Sequence, residues 1–238
     1  MDNVESKKIP DIAKKLTFVG YYHILALLFC FIFIISNIAA TKVGLLGGVF
    51  IDTGTAYFPL LYIINDIITE IYGFRASRKV IWIAVCTNIC FVLFLSLIVK
   101  LPSSHEIASN NSFDVVFSFS PRILIASVTS FLIGEYFNSM ILAKAKIRFH
   151  GKMFMFRAIF STVIGVSIES SLFSLIAFTG IVPTEELLNM TLLLIFAKIF
   201  YEVITMPITS RIVLFLKKHE NFDFYDRDTK FNLLPFKN

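Results

Sequence analysis

Six apolar runs, most of them long enough to cross a hydrocarbon layer, divide this chain of 238 residues at positions 21–40, 56–72, 80–99, 123–143, 154–180 and 187–216. A membrane-crossing helix needs about 20 predominantly apolar residues, because the hydrocarbon core is about 30 Å thick and an α-helix rises about 1.5 Å per residue. Inside lipid the backbone satisfies its own N–H and C=O groups only as a helix or a closed barrel, and runs of this length select helices. The expected fold class is all-α: a polytopic membrane protein with six transmembrane helices. Composition agrees, since only 16% of residues are charged where a soluble domain carries about a quarter. The short connections leave no room for a soluble domain. The expected division is therefore an N-terminal tail at 1–18, one six-helix membrane domain at 19–217 and a C-terminal tail at 218–238. The first run is longer than a signal-peptide core and is followed by five more, so it is expected to be retained.

Cations orient the helices. Lys7, Lys8, Lys14 and Lys15 precede the first run, Arg75, Arg78 and Lys79 follow the second, four lie from Lys144 to Lys152, and five follow Leu216. The alternate loops hold only Lys42, Lys100 and Arg122. This positive-inside asymmetry places both termini and the second and fourth loops in the cytoplasm. The net charge of +5 is thus a topology signal rather than a nucleic-acid surface. Gly47-Gly48 and Gly54 mark the first outer loop as irregular, and Ser, Asn and Pro residues mark the second, at 102–121. No sequence repeat stands out, although three plus three helices would be oppositely oriented. Cys30, Cys86 and Cys90 lie within apolar runs and are odd in number, which argues against disulfides and reads as small packing residues.

Eight charges lie within the spans: Asp66, Glu70, Glu135, Arg157, Glu169, Lys198, Glu202 and Arg211. A charge at a helix centre costs about 2.5 to 3.5 kcal/mol on insertion scales, so the central ones are expected to face the bundle interior. Arg157 and Arg211 lie within about two turns of the cytoplasmic side, where long side chains snorkel. Asp66, Glu169, Lys198 and Glu202 lie near mid-span. A structural alternative for them is an ion pair such as Lys198 with Glu202, one turn apart. Asp66 and Glu70 are likewise four residues apart on one helix face. Two such carboxylates require a proton, a cation such as Lys198 or Arg157, or ligand donors. Asn37, Asn65, Asn88 and Asn138 add polar groups at similar depths. Pro207 removes one backbone bond from the last span and predicts a kink, with Thr205, Thr209 and Ser210 nearby to bond freed groups.

An enzyme reading finds no metal-protease, nucleophile-elbow, phosphate-loop or Cys/His motif, and no catalytic residue or cofactor is expected. The four histidines fall in loops or at membrane edges.

Phe58-Pro59-Leu60-Leu61-Tyr62, Asn65-Asp66-Ile67-Ile68-Thr69-Glu70-Ile71-Tyr72-Gly73 and Arg75 through Arg78-Lys79-Val80-Ile81-Trp82 resemble the queuosine precursor transporter family, also called the VUT or YhhQ family. The resemblance extends to Ser36-Asn37, Ala40-Thr41-Lys42, Arg122, Ala126-Ser127 and Asn138-Ser139. It continues through Arg157, Ser161-Thr162, Gly165, Glu169-Ser170, Lys198, Tyr201-Glu202, Pro207, Phe224-Tyr225-Asp226 and Phe231-Asn232. In two places the chain departs from the family: Glu169 stands where many members have Asp, and Glu135 where Gln is expected. The first lengthens the reach of the same charge; the second adds an acid.

The resemblance implies an inner-membrane transporter importing a 7-deazaguanine base, or queuine, for tRNA modification. A guanine-like edge presents an N–H beside an NH2, which one carboxylate accepts as a bidentate pair. Asp66, Glu70 and Glu169 are the candidates, with Asn37 or Asn138 for the ring carbonyl. The expected substrate-binding set is Asn37, Asp66, Glu70, Glu135, Asn138, Arg157, Glu169, Lys198 and Glu202. Expected partners are a nucleobase-like small molecule and the lipid bilayer, with a homodimer as one assembly open to the chain, and no direct nucleic-acid binding. Two other classes stay open: a substrate-capture subunit dependent on a separate ATPase, and an intramembrane enzyme using the buried carboxylates.

Overall fold

A computed structural model describes residues 20–40, 42–46, 49–102, 108–117 and 121–234. The N-terminal tail and its four lysines lie outside the described residues. The described elements are helix α1 (Gly20–Ala40), strands β1 (Val43–Leu46) and β2 (Val49–Asp52), a 3-10 turn (Thr53–Ala56), and helices α2 (Phe58–Tyr72), α3 (Phe74–Val99), α4 (Ala108–Phe117), α5 (Pro121–Arg148), α6 (Phe154–Phe178) and α7 (Thr184–Glu220).

Five of these helices, α1, α3, α5, α6 and α7, are long and apolar enough to cross a membrane. They are sheathed in apolar side chains: Leu27 is 71% exposed and Phe196 69%, a distribution that only lipid tolerates. With the polar groups gathered inside, this is a polytopic helical membrane protein.

The second run, expected as a span at 56–72, forms a shorter helix. Helix α2 has 15 residues, about 22 Å of helix, which alone is short of the hydrocarbon thickness. Twelve of its residues are buried, so α2 is enclosed by protein rather than lipid. Pro59 sits in its first turn, where a missing N–H removes no intrahelical bond. The first outer loop, expected to be irregular, instead contains an antiparallel hairpin pairing Val43 with Asp52 and Leu46 with Val49. The fold is therefore helical with one small hairpin, not strictly all-α. Within 102–121 the ten-residue α4 replaces part of the expected loop.

Helix α7 runs 37 residues, further than 187–216. Glu185 and Glu186 in its first turn and Lys217, Lys218 and His219 in its last complement the helix dipole. It continues through Pro207 as one helix. Thr205 donates to the Tyr201 and Glu202 carbonyls and Thr209 to that of Thr205, while the Ser210 hydroxyl has no partner. Cys86 and Cys90 are exposed along α3, so they face outward rather than packing.

Helices α5 and α6 cross at two glycines. A Cβ built on Gly134 would lie 2.6 Å from the Glu169 Cβ, and one on Gly165 would lie 2.8 Å from the Asn138 Cβ. Small residues allow this approach, and it brings Asn138 and Glu169 to the same crossing.

At one end of the bundle the segment after α7 folds back over the helix ends. The Phe224 N–H donates to the Ile71 carbonyl, Arg78 donates to the Asn232 carbonyl, Trp82 to that of Leu233 and Tyr136 to that of Phe231. Gly73, at φ 86°, makes the sharp turn between α2 and α3, and Phe224 and Asp226 occupy the space a Cβ would need. Asp226, 2% exposed, accepts the first N–H of α3 from Phe74 at 2.8 Å, acting as an N-cap supplied by the tail. Asp226→Ala is expected to destabilise this junction by about 1 kcal/mol, read as faster proteolytic cleavage within 221–234. An unchanged cleavage rate would show that the cap does not hold the tail.

Candidate functional site

Helix α2 carries Tyr62, Asp66 and Glu70 at four-residue intervals, so the three side chains stack on one face about one turn apart. Helices α5, α6 and α7 close around that face. Each of the three residues anchors one layer of polar contacts.

In the layer nearest the tail, Arg157 of α6 forms a fork on Glu70, with Nη1 to Oε2 at 2.8 Å and Nη2 to Oε1 at 3.1 Å. Both residues are 0% exposed. The other guanidinium contacts go to the Lys152 and Gly151 carbonyls. Lys217 reaches Glu70 Oε1 at 2.7 Å and Asp223 at 2.9 Å. Lys146 bonds Asp223 at 2.5 Å and the carbonyls of Glu70 and Phe224. Burial alone would raise the Asp223 carboxyl, but hydrogen bonds and charge from Lys146 and Lys217 outweigh it and hold it below the usual range. Of the two expectations for Arg157, snorkelling or pairing with the acids of α2, the structure has the second: it is fully enclosed, because Glu70 supplies the anion that burial demands.

The layer furthest from the tail is also neutralised. Lys198 of α7 donates to Glu169 Oε2 of α6 at 2.7 Å, and the Tyr62 hydroxyl donates to the same oxygen at 2.5 Å. The Lys198 ammonium stands 5.2 Å from the centre of the Phe58 ring. Lys198 therefore pairs across helices, and not with Glu202 along its own.

The middle layer differs. Asp66, 0% exposed, accepts one hydrogen bond, from Asn138 Nδ2 at 2.8 Å. Its Oδ2, the Asn138 Oδ1 and both carboxyl oxygens of Glu202 are buried without a partner. Glu202 is 1% exposed, on the buried face of α7. Glu135 accepts from Asn65 with one oxygen and leaves the other unpartnered. Among the described residues no ion pair involves Asp66, Glu135 or Glu202. Thr162 and Ser170, on the buried face of α6, add two unpartnered hydroxyls.

Of the expected binding residues, eight converge in these layers, and Asn37 stands apart. It is half-buried and its amide donates to the Phe33 carbonyl of its own helix at 3.1 Å. A network that sequence reasoning did not isolate ties the layers to α3: Asn65 Nδ2 donates to Ser139 at 2.7 Å, and Ser77 donates to Asn65 Oδ1 at 2.5 Å. Its only sequence signal was an amide inside an apolar run.

Buried polar groups are ordinarily paired. The unpartnered oxygens of the middle layer, between two neutralised layers, make a site rich in acceptors that a ligand bearing N–H donors would satisfy. No group of His, Cys, Asp and Glu among the described residues is arranged to hold a metal ion.

No solved structure matches the chain. A "Probable queuosine precursor transporter" of Bacillus subtilis (strain 168) is 20% identical over 173 residues, covering 72% of this chain and 76% of that protein. Residues 52–212, which hold all three layers except Lys217 and Asp223, match the family described as "Putative vitamin uptake transporter", and the chain belongs to that family.

Proposed function

We propose that this protein imports a queuosine precursor, a 7-deazaguanine base or queuine, across the cytoplasmic membrane for use in tRNA modification. The observation that carries this reading is the middle layer, where buried acceptors lack donors in a chain similar to a queuosine precursor transporter. The Asp66 carboxylate is the acceptor best placed for the paired N–H and NH2 of a guanine-like edge, since Oδ2 has no partner and Oδ1, oriented by Asn138, keeps a second lone pair. Lys198 keeps N–H donors beyond its bond to Glu169, and Thr162 and Ser170 add hydroxyl donors for the ring carbonyl. The Asn138 amide keeps one N–H beyond its bond to Asp66. Glu70 and Arg157 act as the closing ion pair of the inner end rather than as ligand contacts.

The membrane topology belongs to the same proposal. One transport domain at 19–217 crosses six times, with α2 and the turn before it as the enclosed sixth crossing, and both tails in the cytoplasm. Support comes from the basic segments around Arg75, Lys146 and Arg227, which meet at one end of the bundle. Arg122 bonds the Ile176 and Thr179 carbonyls between α6 and α7, away from those basic segments.

Uptake of labelled 7-deazaguanine bases into cells unable to make them tests the reading. Cells carrying the chain should accumulate label, and Asp66→Asn should lower accumulation at least tenfold while leaving the membrane-inserted yield unchanged. Equal accumulation with and without the chain would overturn the function. Normal uptake by Asp66→Asn would remove the carboxylate from the site.

A further inference from the structure

Between two layers in which every acid has a basic partner lies one that holds three carboxyl groups that form no ion pair among the described residues. A base whose edge occupies one carboxylate, even one with a side-chain amine to meet a second, leaves a third unbalanced. A guanine-like edge brings hydrogen-bond donors but no positive charge, and its paired donors occupy one carboxylate. Ionisable groups on the buried faces of the helices around Glu202 include Tyr62, Asp66 and Glu70 of α2, Glu135 of α5, Arg157 and Glu169 of α6, and Lys198 of its own helix. Arg157 pairs with Glu70 and Lys198 with Glu169, and neither forms an ion pair with Glu202.

The three carboxyls are not equivalent. Asp66 takes an N–H from Asn138, and Glu135 takes one from Asn65; a donated N–H favours the anion. Glu202 receives none on either oxygen, although it is 1% exposed. Carboxyl groups sharing a water-poor site cannot all ionise. The unpartnered Asn138 Oδ1 beside Asp66 would accept an O–H as readily as an N–H. Glu202 also sits one turn from Lys198 and five residues before Pro207 on α7, the helix that contributes to both neighbouring layers.

We propose that Glu202 is a proton-carrying site and that import is proton-coupled, one proton entering on Glu202 with each base. The inference rests on the transport reading given above. In the loaded state Asp66 is the anion that receives the base, and Glu202 holds the proton taken from the outer face. After the base leaves on the cytoplasmic side, the proton follows it into the cytoplasm, and the empty site resets. Proton and base move in the same direction, and no other co-reactant is required.

Purified protein in sealed liposomes, with a pH dye trapped inside and labelled 7-deazaguanine base added outside, tests the coupling. Added base should acidify the interior with about one proton per base, and an inward proton gradient should raise the initial uptake rate several-fold. Base entry without acidification overturns the coupling and leaves the transport reading standing. No base entry overturns both. Glu202→Gln should give the same uptake rate with and without the proton gradient. If that variant moves no base, Glu202→Asp should restore base and proton entry together. Proton entry through Glu202→Gln, or base entry without protons through Glu202→Asp, removes Glu202 from the role.

Discussion

Arg157→Met is expected to lower the stability of the folded protein by about 3 kcal/mol, the lower part of the range for breaking a buried ion pair. Both partners are fully enclosed, and the two-bond fork satisfies both carboxylate oxygens of Glu70. Losing the guanidinium strands that anion and also frees the Lys152 and Gly151 carbonyls it holds. The effect stays at the lower end because Lys217 still reaches Glu70, though from a position 20% exposed, where its charge is weakened by water. Arg157→Lys should recover only part of the loss, since an ammonium cannot reproduce the fork. Combining Arg157→Met with Glu70→Gln should recover most of it. Thermal midpoints of the detergent-solubilised protein measure all three variants. A midpoint for Arg157→Met equal to that of the unsubstituted protein would mean that Lys217 alone neutralises Glu70.

That result would also divide the acid pair that spacing alone could not. Sequence placed Asp66 and Glu70 on one face, and offered a proton, a cation or a ligand as three ways to neutralise them. Which acid took which answer depends on Arg157, 87 residues further along, and no local pattern carries that information. The long apolar helices were legible because span length and hydropathy are properties of contiguous residues. The short α2 was not, because burial by neighbouring helices lets an apolar run of the same composition form a helix too short to span the hydrocarbon unaided. The docking of residues 221–234 escaped for the opposite reason. Phe224, Tyr225 and Asp226 read as part of a polar tail, and their partners are the backbone ends of α2 and α3. Lys198 pairs with Glu169 of the neighbouring α6 at 2.7 Å rather than with Glu202 one turn along its own helix.

That pair supports the second large effect. Lys198→Met leaves Glu169, 4% exposed, with only the Tyr62 hydroxyl on its Oε2, and the single substitution is expected to lower stability by about 3 to 5 kcal/mol. Relaxation offers little relief. Glu169 rises from the point where α6 meets α5, with its Cβ 2.6 Å from where a Gly134 Cβ would stand, so the carboxylate cannot swing away without parting the two helices. Glu169→Leu alone strands the ammonium over the Phe58 ring, which compensates only in part. Joining the two substitutions leaves no unpaired charge, so folded yield should return close to the unsubstituted level, giving a strongly non-additive cycle. Uptake should not return, because the double variant lacks the ammonium proposed to meet the ring carbonyl and the neutral layer that keeps charge near Asp66 confined. Detergent-solubilised yield and labelled base uptake, measured for both single variants and the double variant, separate the outcomes. Additive losses of yield would mean that the two residues do not stabilise each other, and recovery of yield and uptake together would reduce the pair to scaffold.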